Sequence, residues 1–226
     1  MKIADLTLEN TTVVGDPDRD ITSVDNDSRT TKPGGLYAAF PGANVHGASF
    51  AAQLVNQGVH AFLTDPAGVE IMREAGLDFT DLTILVHEFP RAVAGHIAAQ
   101  VYGTGASPAM FGVTGTNGKT TTTFILDAFL QALGHTTGLI GTVATVIAGD
   151  RVDSVRTTPE AATLHQLLAR MRDAGVDTCS MEVSSHALSQ HRVDGAHFDV
   201  VSFTNLSQDH LDYHGTMDEY FNAKAT

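Results

Sequence analysis

The sequence predicts an α/β protein built as two units, the second of them carrying a phosphate loop. Three observations predict this. Short apolar, β-branched runs alternate with helical stretches along the 226 residues, the pattern of a mostly parallel sheet covered by helices. A Gly/Ser/Pro stretch at residues 102–108 interrupts the alternation, and the pattern then starts over. Directly after the new strand, Gly115-Thr116-Asn117-Gly118-Lys119-Thr120-Thr121 opens a helix.

In the first unit, residues 1–103, strands are expected at 21–24, 36–40, 61–64 and 83–86. Asn26-Asp27-Ser28-Arg29 reads as a polar turn, and the strand at 36–40 is bounded by Pro33-Gly34-Gly35 and Pro41-Gly42. Helices are expected at 48–57, stopped by Gly58, at 69–74, ending at Gly76, and at 90–101. In the second unit, residues 109–226, a strand at 109–114 leads into a helix at 119–133, stopped by Gly134. A β-rich segment at 139–155 turns at Ala148-Gly149-Asp150. A helix at 160–174 and strands at 176–183 and 198–203 follow. Thr216-Met217-Asp218-Glu219 has capping-box spacing, with Met217, Tyr220, Phe221 and Lys224 on one helical face. Three or four readable strands are few for such a domain, and the last helical pattern stops at Thr226. The sequence is therefore expected to be part of a longer protein, truncated on its C-terminal side.

Apolar residues make up 42% and charged residues 17%, a balance that supports a buried core. The formal charge of −13 argues against a nucleic-acid backbone as partner, since such binding depends on Lys and Arg neutralising phosphates. A single nucleotide remains possible, because a helix N-terminus and a metal can hold it. One cysteine, Cys179, excludes an internal disulfide and suits a reducing compartment; its apolar strand marks it as core. No apolar run approaches membrane-span length and no secretory signal opens the chain, so a soluble cytoplasmic protein is expected.

In the phosphate loop, Gly115 and Gly118 let backbone N–H groups curl around phosphate oxygens. Lys119 supplies charge for the outer phosphates, and the Thr120 hydroxyl can reach Mg²⁺. The strict pattern would place glycine where Val113 stands, but strand, Gly-x-x-Gly-Lys-Thr and helix coincide, so ATP is the expected ligand. Glu182 ends an apolar strand, which brings a carboxylate to the sheet edge where α/β proteins bind ligands. A hard oxygen donor there suits Mg²⁺, and a capping or salt-bridged Glu is the structural alternative. Read alone, His210 is one of eleven histidines and Lys224 is a solvated helix lysine.

The run Thr114-Gly115-Thr116-Asn117-Gly118-Lys119-Thr120-Thr121 resembles the Mur ligases, the amide-forming enzymes of peptidoglycan precursor synthesis, and their cousins the folylpolyglutamate synthetases. Met181-Glu182-Val183-Ser184-Ser185-His186-Ala187-Leu188, with Gln190-His191-Arg192, resembles the tripeptide-forming (MurE) type within the Mur family. Thr204 to Gly215 is similar to that family's metal segment. The resemblance implies that Glu182 and His210 are magnesium ligands. It implies that Lys224, in Tyr220-Phe221-Asn222-Ala223-Lys224, is carbamylated to N6-carboxylysine and holds a second Mg²⁺. Thr157, Thr158, Ser184, Gln190 and Arg192 are implied contacts of the muramoyl-peptide end of a substrate, Arg192 through bidentate pairing with a carboxylate. In the first unit, Asn26, Ser28 and the loop Ala43-Asn44-Val45 match positions that bind the UDP moiety. Two departures stand there: Gly35 replaces a usual Asp, and the usual Asp-Gly before the helix reads His46-Gly47.

The implied activity is ATP-dependent amide ligation. An acyl phosphate forms on the D-Glu carboxylate of UDP-MurNAc-L-Ala-D-Glu, and the amine of meso-diaminopimelate, or alternatively L-lysine, displaces the phosphate. Lys119, Glu182, His210 and Lys224 are the implied catalytic set, and a monomer acting on small molecules is expected. Another Mur ligase, a folylpolyglutamate synthetase or a phosphate-loop ATPase switch are the alternatives. The family's C-terminal amino-acid-binding domain is expected to lie outside these residues, so that this stretch alone binds nucleotide without turnover.

Overall fold

The computed structural model describes residues 1–105, 108–152 and 156–226. Ala106 and Ser107 of the expected boundary stretch, and residues 153–155 of the β-rich segment, lie outside the described residues. The chain divides into two compact units, Met1–Gly103 and Thr104–Thr226.

The first unit holds a five-stranded sheet of β1 (Thr12–Gly15), β2 (Ser23–Asp25), β3 (Gly35–Ala38), β4 (Ala61–Thr64) and β5 (Thr83–Val86), in the order β1-β5-β4-β3-β2. Strands β2 to β5 are parallel and β1 pairs antiparallel with β5. Strands β3 and β4 are buried along their whole length, as a doubly covered sheet requires. The expected helix at 48–57 splits into a 3₁₀ turn, Gly47–Phe50, and α1 (Ala51–Asn56). Helix α2 (Pro66–Glu74) starts earlier than its apolar periodicity suggests, because Asp65 accepts the Gly68 N–H at 2.7 Å and Pro66 opens the first turn. Helix α3 (Pro90–Tyr102) ends at Gly103 in the left-handed conformation. Tyr37, Leu54, Phe62, Met72 and Ile84 form the core, with Tyr37 and Phe62 edge-to-face at 6.3 Å.

The second unit has more strands than the sequence suggests. Its sheet is β6 (Ala109–Thr114), β7 (Thr137–Ile140), β8 (Thr145–Ile147), β9 (Asp150–Val152), β10 (Thr178–Glu182) and β11 (Val200–Phe203), in the order β11-β6-β10-β7-β8-β9. The first four in that order run parallel, while β8 and β9 add antiparallel hairpins. Helix α4 (Lys119–Ala132) packs on β10, β7 and β6. On the other face, Leu164, Leu167, Leu168 and Met171 of α5 (Ala161–Asp173) join Cys179 and Met181 in one core cluster. Cys179 is core as expected, and burial pushes its thiol up to about 12. Alternation along β10 then turns Ser180 and Glu182 the other way, toward α4. Three short helices complete the unit: α6 (Ser185–Ser189), α7 (Leu211–His214) and α8 (Met217–Ala225). The capping box at Thr216 and Glu219 forms as its spacing predicts.

Candidate functional site: a braced phosphate loop and a buried carboxylate

Strand register places the second unit's site. Val113 lies opposite Glu182, Thr114 opposite Phe203, and Met181 opposite Ile140. The carboxyl ends of β6, β10, β7 and β11 therefore deliver the phosphate loop, Glu182, Gly141-Thr142 and Thr204-Asn205 to a single edge. This is the edge where open α/β sheets bind ligands.

The loop is tied down before any ligand arrives. Gly115 sits at φ +135°, and a Cβ there would overlap Thr204 Oγ1; Gly118 caps α4 at φ +86°. Asn205 accepts the Thr116 N–H through its carbonyl at 2.9 Å and the Asn117 N–H through its side chain at 3.1 Å. The buried Thr116 hydroxyl accepts the Ser207 N–H at 3.0 Å and lies 3.1 Å from the Tyr220 hydroxyl of α8. The first N–H groups of α4 have no helical acceptor, and with the helix dipole they form a ready anion site.

Lys119 Nζ donates to the carbonyls of Gly115 and Thr116, both at 2.8 Å. Lys224 Nζ donates to the same Gly115 carbonyl at 3.0 Å. Two ammonium groups thus converge on one oxygen. Lys224 is not the solvated lysine that its helix spacing suggests: it is 6% exposed and lies 4.7 Å from the Tyr220 ring centroid. Burial first, and the Lys119 charge second, push its amine down to about 8. Lys119 is also lowered, chiefly by burial, with Glu182 and Asp209 opposing.

Glu182 is 1% exposed and accepts three interactions. Thr120 Oγ1 donates to its Oε2 at 2.9 Å, and the Thr142 N–H to its Oε1 at 2.9 Å. The Thr142 hydroxyl lies 3.2 Å from Oε2 and 2.9 Å from Thr157 Oγ1. Thr142 was not singled out from the sequence; its signal is a Gly-Thr pair following a strand that ends at the same sheet edge. The Thr120 hydroxyl and the Glu182 carboxylate are hard oxygen donors side by side, and that chemistry fits Mg²⁺, which keeps most of its shell for water and phosphate. His210 lies in a different cluster. Its ring meets His186 edge-on at 4.7 Å and Tyr220 at 6.3 Å, and Nε2 is 3.5 Å from Asp209. Among the described residues, no group of three or more His, Cys, Asp or Glu side chains is arranged to hold a metal.

Of the residues implied for the muramoyl-peptide end, Thr157 lies against Thr142 beside Glu182, and Thr158, Ser184, Gln190 and Arg192 group around α6. Thr158 Oγ1 donates to the Glu182 carbonyl at 2.9 Å and accepts the Ser184 N–H at 3.0 Å. Ser184 caps α6 by accepting the Ala187 N–H at 3.2 Å. Gln190 accepts from Arg192 at 2.6 Å and donates to the Tyr213 hydroxyl at 3.2 Å. Arg192 already has a carboxylate of this chain: its Nε lies 3.1 Å from Glu160, which also pairs with Arg156 at 3.0 Å. Glu160 was likewise not singled out, because a Glu at a helix start reads as a dipole-compensating residue.

In the first unit, Asn26 and Ser28 follow β2, while Ala43, Asn44 and Val45 follow β3. Parallel β2 and β3 bring both segments to the carboxyl edge of that sheet. Residues 43–45 are exposed, and Asn26 and Ser28 are half-buried.

The fold and this site define an α/β protein with a phosphate loop at the carboxyl edge of its second sheet. The description Mur ligase middle domain matches residues 113–226, half of the chain, and Mur ligase family, catalytic domain, matches residues 20–102. The chain belongs to the Mur ligase family. It is 48% identical over 212 residues to a UDP-N-acetylmuramoyl-L-alanyl-D-glutamate–2,6-diaminopimelate ligase of Streptomyces avermitilis, covering 92% of this chain and 41% of that protein. It is 52% identical over 191 residues to the enzyme of that name from Corynebacterium glutamicum, covering 84% and 36%. A solved structure of a ligase of that name superposes with a TM-score of 0.73 at 25% identity, over 92% of this chain and 41% of that one. The chain spans about two fifths of the length of these relatives. Among the described residues no helix is long and apolar enough to cross a membrane.

Proposed function

We propose that these residues form the two nucleotide-handling units of a UDP-N-acetylmuramoyl-tripeptide synthetase. This ligase joins a diamino acid, meso-diaminopimelate in preference to L-lysine, to UDP-MurNAc-L-Ala-D-Glu at the expense of ATP. The observation that carries the reading is the buried Glu182 carboxylate hydrogen-bonded to the Thr120 hydroxyl beside the Lys119 loop. The names of the relatives support the substrate pair.

In this reading the loop 115–121 and the N-terminus of α4 hold the ATP phosphates, and Lys119 leaves its carbonyl partners to neutralise them. Thr120 and Glu182 would hold Mg²⁺, which would supply charge neutralisation for phosphoryl transfer to the substrate carboxylate. His210, a ligand implied by the family resemblance, would join them only by leaving its ring contacts with His186 and Tyr220. Thr157, Thr158, Ser184, Gln190 and Arg192 orient the peptide end, so that the chemistry is positioning plus charge neutralisation. The diamino-acid amine then attacks the acyl carbon, the amide C–N bond forms and inorganic phosphate leaves.

Lys224 is suited to carbamylation, in which its neutral amine adds CO₂ and releases a proton. With the amine near 8, about a tenth is neutral at pH 7, against well under a thousandth for an ordinary lysine. The N6-carboxylysine would replace a second cation at Gly115 with an anion able to hold a further Mg²⁺. Asn26, Ser28 and Ala43 to Val45 take the uridine diphosphate in the first unit. A cytoplasmic monomer is the expected form, in keeping with the free Cys179.

The test is tripeptide formation followed by mass spectrometry, from ATP, Mg²⁺, UDP-MurNAc-L-Ala-D-Glu and either diamino acid. A protein containing these residues and the remaining three fifths of its relatives' length should turn over with meso-diaminopimelate. Residues 1–226 alone should bind without turnover; a rate of order 1 s⁻¹ from them would contradict the division of labour proposed here.

A further inference from the structure

The loop at 41–46 is held at its base and open at its tip. The Gly47 N–H donates to the Phe40 carbonyl at 2.8 Å and closes the loop, while Ala43, Asn44 and Val45 stay exposed, Val45 at 54%. Between base and tip stands His46, at the position where the family resemblance expects an aspartate. Its Nδ1 accepts the Ala48 N–H at 3.0 Å and caps the 3₁₀ turn Gly47–Phe50. Its Nε2 lies 3.0 Å from Asp65 Oδ1, the oxygen that also accepts Gly68 N–H and caps α2. The pair is largely shielded, with 13% and 14% of the side chains exposed.

These contacts fix the proton. An Nδ1 that accepts a backbone N–H cannot itself carry hydrogen, so the hydrogen sits on Nε2 and points at the carboxylate. An aspartate at position 46 could cap the turn, but it would set a second carboxylate against Asp65. Histidine supplies an acceptor for one helix start and a donor for the other. We propose that His46 is a positioning residue that, in its Nε2–H form, clamps the loop 43–45 to the start of α2 and so presets the uridine-nucleotide site.

This role rests on the proposed uridine site in the first unit. Its effect is on affinity: a loop held in its binding geometry only part of the time binds with an affinity reduced by that fraction. His46→Asn retains an acceptor near the position of Nδ1 but cannot reach Asp65, and His46→Ala loses both partners. In the 226-residue chain, UDP affinity should fall about tenfold in His46→Ala, the size expected when a cap is lost, and by less in His46→Asn. The imidazole ¹⁵N spectrum of the unaltered chain should show His46 with a bare Nδ1 and a protonated Nε2. Thermal melting of each variant identifies unfolded protein, and His46→Asn serves if His46→Ala does not fold. Failure of the unaltered chain to bind UDP would overturn the uridine reading itself. UDP binding that is equally tight in the folded variants, or an Nδ1–H form, would overturn the clamp while leaving the uridine site in place.

Discussion

The two loops proposed to receive nucleotides are built on opposite plans. The phosphate loop is braced from several sides by its own chain: Thr204 and Asn205 beyond β11, Ser207, and Tyr220 and Lys224 from α8 all reach Gly115, Thr116 or Asn117. Among the described residues, the loop at 43–45 is closed at its base and through His46, and its tip is exposed. The first is fixed by contacts of its own chain, which would make it a preorganised anion cradle. For the second, an exposed tip on a fixed base, the proposed nucleotide affinity would depend on how well its ends are held.

The largest expected effect falls on the braced loop. Lys119→Ala removes the cation best placed for the phosphates, and MgATP affinity by calorimetry should fall about a hundredfold, the size of a hydrogen bond to a charged group. UDP affinity should not change. Equal ATP affinity in both proteins would mean that the loop is only a structural turn.

A smaller effect sharpens the same contrast through stability. Lys224 has a folded-state amine near 8 and an unfolded value near 10.5. Below pH 8 both states carry the proton and the burial cost is fully present. Between about 8 and 10.5 the unfolded chain holds a proton that the folded one has lost, so stability rises with pH. Denaturant unfolding in CO₂-free buffer should show that rise, by at most about 1.4 kcal/mol per pH unit, and Lys224→Met should remove it. Identical pH profiles for the two proteins would show that Lys224 is not held as a depressed amine.

Much of this was legible in the sequence where local signals agree. Strands β4, β5 and β6 match their apolar runs residue for residue, because Gly, Pro or polar turns bound them on both sides. The capping box at Thr216 was equally readable. What escaped depends on tertiary partners. Strand β1 has an exposed pattern and exists by pairing with β5. The five- and four-residue helices α6 and α7 are too short for a 3.6-residue period to register. Lys224 reads as a surface lysine until Tyr220 and the Gly115 carbonyl are seen against it. The Arg192–Glu160 pair shows the converse: the sequence marks the guanidinium, but only the fold shows that a carboxylate of the chain already occupies it.

The claim that the two loops serve two different nucleotides is tested most directly by titrating the ¹⁵N-labelled 226-residue chain with UDP and, separately, with MgATP. UDP should shift amides at Asn26, Ser28 and Ala43 to Val45 and leave the phosphate loop unmoved. MgATP should shift Gly115 to Thr121 and Glu182 and leave residues 43–45 unmoved. Both nucleotides perturbing the same loop, or UDP at millimolar concentration moving neither segment of the first unit, would contradict the account.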